Sequence, residues 1–109
     1  MPQVVLCTCP DLPTAQKLST AIVSEQLAAC VNIIPAIRSI YRWKGEICDD
    51  AEVLMIIKST SACFDSLQTR LLDMHPYECP EVIAIEISNG NAAYLAWLQA
   101  HTLDKPVNS

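Results

Sequence analysis

The residues of this chain best suited to chemistry are sulfur and imidazole. Cys7 and Cys9 are separated by one residue, so on a strand they share a face and offer two soft donors to the same point in space. His75 stands directly before Pro76, at a place where a helix must stop, and it supplies the nitrogen donor. Its ring there can also stabilise the last helical carbonyls through the helix dipole. A second set is aromatic and charged: Tyr41, Trp43, Tyr77, Glu81 and Lys58. Such side chains line clefts that hold small organic ligands, with Lys58 pairing an anionic group, and they also anchor subunit interfaces. His75 and the acidic residues are the acid-base groups available, but no nucleophile or cofactor motif accompanies them, so the expectation is a binding protein and not an enzyme.

The elements that must position these groups are organised around residues 30–58, CVNIIPAIRSIYRWKGEICDDAEVLMIIK. Both flanks are dense in Val, Ile, Leu, Tyr and Trp, and Lys44-Gly45 interrupts them with a glycine fit for the positive φ of a tight turn, which predicts one long β-hairpin. At ~3.3 Å per residue each leg reaches roughly 45 Å, longer than the roughly 35 Å breadth of a compact domain of this size. A ribbon that overhangs its own domain, apolar and with free backbone groups, calls for pairing with other copies. Pro35 is the natural site for a bend.

Ahead of the hairpin, residues 4–9 form a continuous apolar run suited to a central strand, and Asp11 caps a helix expected to reach Ala29. Behind it, Ser59, Thr60 or Ser61 caps a second helix carrying Phe64, Leu67, Leu71 and Met74 on one stripe. Ile83, Ile85 and Ile87 then mark one face of a strand over residues 82–88. Asn89-Gly90-Asn91 opens a third helix, and the tail from Thr102 is expected to fray. The order β-α-β-β-α-β-α predicts a single α+β domain over residues 1–109: a ferredoxin-like βαββαβ sheet covered by two helices, plus a C-terminal helix. That topology carries the ends of strand one and helix two, the hairpin turn and the start of strand four to one edge. Cys7 or Cys9, His75 and Glu81 therefore meet there, with Tyr41, Trp43 and Glu46 on the same side. Lys58 falls at the opposite end and joins them only from another subunit.

Seven Lys plus Arg against twelve Asp plus Glu leave a charge of −5 with no basic run, which excludes nucleic acid as a natural partner. The first ten residues carry neither a positive segment nor an apolar run beyond six residues. Neither a signal peptide nor a membrane span is expected, and a cytoplasmic location is. Six cysteines without a CxxC pair fit a reducing compartment as buried packing, metal ligands or redox-active thiols.

Four segments, LAACVNI (residues 27–33), SIYRWKGE (39–46), HPYE with the PE that follows (75–78, 80–81) and YLAWL (94–98), resemble the CutA divalent-cation tolerance family in order and spacing. The resemblance covers nearly the whole chain. It implies a cytoplasmic homotrimer similar in architecture to the PII signalling proteins, linked to tolerance of copper and other divalent metals. It also implies a copper site built from a first-strand cysteine, matched by Cys7, and a histidine pair before the Pro-Tyr step. His75 matches the second histidine and Met74 replaces the first. A thioether in that place suits Cu(I) better than Cu(II), although Met74 also falls on the apolar stripe of helix two.

Overall fold

Why the hairpin closes where it does is visible in two backbone angles. Lys44 and Gly45 have φ of 50° and 82°, the positive pair that a two-residue turn needs to match strand twist, and Trp43 faces Glu46 across it. The computed structural model describes residues 1–103. Its elements are β1 (Pro2–Cys9), α1 (Leu12–Ser24), β2 (Cys30–Trp43), β3 (Glu46–Thr60), a 3₁₀ turn (Ser61–Cys63), α2 (Phe64–Met74), β4 (Val82–Glu86) and α3 (Ala92–Ala100).

The four strands form one antiparallel sheet in the order β2-β3-β1-β4, the ferredoxin-like arrangement. One face is packed under α1 and α2. Val5, Cys7 and Cys9 of β1, Val53, Met55 and Ile57 of β3, Ala15, Leu18 and Ile22 of α1, and Leu67 and Leu71 of α2 make a single buried cluster. β1 pairs with β3 only as far as Val53, so residues 46–52 pair with β2 alone, and the hairpin overhangs the sheet as its length requires. Its tip exposes Ile40, Tyr41, Trp43 and Ile47. The register of β2 against β3 slips between Ile34 and Ile37. The two intervening residues, Pro35 and Ala36, oppose Val53 alone, so the bend expected at Pro35 is a bulge.

Several boundaries differ from expectation. α1 ends at Ser24 and not Ala29, because Gln26 takes φ 60°. Gln26 N–H then bonds Val23 O and Leu27 N–H bonds Ile22 O at 2.9 Å, a Schellman closure with glutamine where glycine is usual. Ser59 and Thr60 do not cap α2. They end β3, where Ser59 Oγ donates to Leu27 O at 2.6 Å, and the chain enters α2 through the 3₁₀ turn. At the other end β4 stops at Glu86.

The fray expected from Thr102 onward is corrected for its first two residues, Thr102 and Leu103. Thr102 is buried, Leu103 N–H bonds Gln26 O at 3.0 Å, and the Cys63 thiol donates to Leu103 O at 2.9 Å. The chain therefore straps the end of α1 to the start of α2. Residues 104–109 lie outside the described part.

The face of the sheet away from α1 and α2 is different in kind. Ile83 and Ile85 pair with Leu6 and Val4, and both are about half exposed. The apolar side of β4 read from the sequence thus points away from the core of its own chain.

Candidate metal centre

Cys7 and Cys9 lie on the buried face of β1, and His75 is the residue that ends α2, with φ −75° and ψ 136° set by the following proline. The antiparallel order brings these ends together as the topology requires. The donor atoms of Cys7, Cys9 and His75 all lie within 4.8 Å of one another, the Cys9 sulfur standing 3.9 Å from His75 Nε2. Both cysteines are fully buried and His75 nearly so. A proton shared between the two sulfurs pushes the Cys7 thiol far above its ordinary range, with burial adding to the effect, while the same sharing lowers Cys9.

The imidazole is pinned at both nitrogens. Tyr77 N–H points at Nδ1 at 3.1 Å, which makes Nδ1 the acceptor. Nε2 then carries the proton, and it faces Thr8 O at 2.8 Å. This tautomer follows from the hydrogen-bond partners.

A third sulfur completes the cluster. Met55 is fully buried, faces Cys7 across the β1–β3 ladder, and accepts the Cys9 thiol at 3.4 Å. Sequence spacing missed it, since Met55 reads as one more apolar residue of a strand until the register is known. Met74 is half-buried at the last turn of α2 and packs against the main core. Sulfur and imidazole in a water-poor pocket are the donors that suit copper, Cu(I) above all.

Beside this pocket lies a cleft between the hairpin and residues 76–81, lined by Tyr41, Trp43, Tyr77, Glu81 and Glu52 among others. Tyr77 Oη donates to the nearly buried Glu52 at 2.6 Å. Tyr41 Oη donates to Asp50 at 2.6 Å, and that bond pushes its phenol up to about 12. Glu52 is the other functional candidate that sequence reasoning passed over. An acid at the head of an apolar strand gives no sign that a tyrosine 25 residues on will cover it. Lys58 is not in this cleft. It pairs with Val4 and Cys30 at the far end of β3, and its ammonium donates to Asn32 Oδ1.

A ferredoxin-like chain with an overhanging hairpin and a buried thiol–imidazole pocket defines the structural class. Comparison supplies the family: the model of the CutA1 divalent ion tolerance protein matches residues 3–101, and the chain belongs to that family. It is 46% identical over 102 residues to the divalent-cation tolerance protein CutA of Thermus thermophilus, covering 94% of this chain and 99% of that one. The solved structure of the Thermus protein superposes with a TM-score of 0.91. Rice CutA1 gives a TM-score of 0.92 at 43% identity over 95% of each chain. A rice relative named as chloroplastic is 46% identical over 91% of this chain, which spans about half (56%) of that relative.

Proposed function

We propose that this protein is a homotrimer that binds copper as part of metal-ion tolerance, with Cys7, Met74 and His75 as the metal site. The observation that carries this reading is the convergence of the Cys7, Cys9 and His75 donor atoms within 4.8 Å in a buried pocket. Competition titrations against chromogenic chelators should give tighter binding for Cu(I) than for Cu(II), with zinc as the reference. Unchanged Cu(I) affinity in Cys7→Ala would remove the site.

The trimer is favoured by two apolar surfaces exposed among the described residues, the hairpin tip and the Ile83–Ile85 face of β4. Light scattering on a sizing column should return about three times 12.0 kDa, and a monomer at micromolar concentration would defeat the reading. We place the protein in the cytoplasm on its six free thiols. Among the described residues, no helix is long and apolar enough to cross a membrane. Fractionation of the source cells tests the location, since relatives carry a chloroplast name.

A second reading, a PII-like module with a small-molecule ligand between subunits, is favoured by the cleft of Tyr41, Trp43, Tyr77 and Glu81. Because Lys58 lies at the other end of its own sheet, its joining that cleft requires a neighbouring chain. Lys58→Met keeps the apolar stem and removes the charge. A ligand role predicts an intact trimer that no longer changes Trp fluorescence when organic anions are added, and an unresponsive wild type would end this reading.

A further inference from the structure

The pinned imidazole changes which atoms are free to bind an ion. With Nδ1 accepting from Tyr77 N–H and the Nε2 proton directed at Thr8 O, the nitrogen that stands 3.9 Å from the Cys9 sulfur, Nε2, has no lone pair to offer unless both bonds are broken, and Nδ1 offers one only by giving up the Tyr77 bond. Each sulfur, by contrast, keeps a lone pair even while the Cys9 thiol donates to Met55. Cys9 and Met55 are already 3.4 Å apart, Cys7 faces Met55 across the ladder, and the Cys7 and Cys9 sulfurs are no more than 4.8 Å apart. Two sulfurs bound to one ion at ~2.3 Å each are separated by at most about 4.6 Å, a span that Cys9–Met55 already meets and Cys7–Cys9 meets or nearly meets.

We propose that Cys7, Cys9 and Met55 form a three-sulfur site for a soft monovalent ion, Cu(I) or Ag(I), and that His75 is a positioning residue and not a ligand. This rests on the metal-binding reading above and replaces its donor set. Two or three sulfurs satisfy a monovalent soft ion, whereas zinc takes four donors in a tetrahedron. The fourth donor at hand is the imidazole already held by Thr8 and Tyr77. On binding, each ligating thiol gives its proton to the buffer and its sulfur electron pair to the ion, with no change in oxidation state. His75, by gripping Thr8, fixes the strand residue between the two thiols.

The test uses the full chain, Cu(I) and Ag(I) with competing chelators, and four variants. Cys9→Ala and Met55→Leu keep apolar side chains in the core, His75→Gln keeps an N–H donor for Thr8 O, and His75→Ala does not. The three-sulfur site predicts that Cys9→Ala and Met55→Leu each weaken Cu(I) at least about tenfold. His75→Gln should stay close to wild type and His75→Ala fall below it. The copper absorption edge of the wild-type Cu(I) protein should show sulfur neighbours at ~2.3 Å without imidazole scattering. An imidazole in that spectrum, or loss of affinity in His75→Gln with Cys9→Ala and Met55→Leu unaffected, overturns this proposal while the copper reading stands. A wild type that competes for neither ion overturns both.

Discussion

The amide of Tyr77 donates to Nδ1 of His75 at 3.1 Å, and this short-range bond fixes the imidazole tautomer. Nitrogen-15 NMR of the metal-free protein should therefore show the neutral ring as the tautomer with the proton on Nε2 and none on Nδ1. The reverse pattern would mean that Nε2 is free to ligate.

Tyr77 also covers Glu52. Tyr77→Phe removes the 2.6 Å bond to a carboxylate that is nearly out of reach of water, and chemical denaturation should register a loss of about 1–3 kcal/mol. Burial, then the Glu52 bond, pushes the Tyr77 phenol up. A folded-state value above the unfolded one means its contribution is complete below about pH 10 and is lost as the pH rises beyond it. In Tyr77→Phe the alkaline decline of stability should accordingly be shallower; an identical decline would show that the phenol is not held by Glu52.

Leu67 is fully buried where α2 meets the sheet. Leu67→Ala should cost about 2–5 kcal/mol, the usual range for emptying a leucine site. An effect below ~1 kcal/mol would mean that α2 collapses onto the space.

The Thr102–Leu103 strap predicts a contrast between two truncations. Deleting residues 102–109 removes the bonds to Gln26 and Cys63, whereas deleting 104–109 keeps them. The first should melt several degrees below the second. Equal melting temperatures would show that the strap contributes nothing.

Asn91 caps α3 by accepting Tyr94 N–H at 3.0 Å. Asn91→Ala should destabilise by about 1 kcal/mol, and amide exchange should quicken first at residues 94–96. Unchanged exchange there would exclude the cap as a determinant of α3.

The amino-acid sequence by itself determined the order of elements, the hairpin and its Lys44-Gly45 turn, the antiparallel sheet, and the meeting of Cys7, Cys9 and His75 at one edge. These follow from strand alternation, helical periodicity and the direction of each connection, all of which are local or topological. It also implied that Lys58 stands apart from Trp43, since a residue's place along a strand fixes its end of the sheet.

Tertiary structure decided the rest. Gln26 ends α1 early because a positive φ lets two amides close on the helix, and glutamine gives no advance sign of that conformation. Met55 joins the thiols because register sets it opposite Cys7, and its thioether is chemically indistinguishable from core packing until that neighbour is known. Above all, the availability of His75 as a ligand depends on Thr8 and Tyr77. An imidazole has two nitrogens and one proton, and only the partners that surround it in the fold decide which nitrogen holds it.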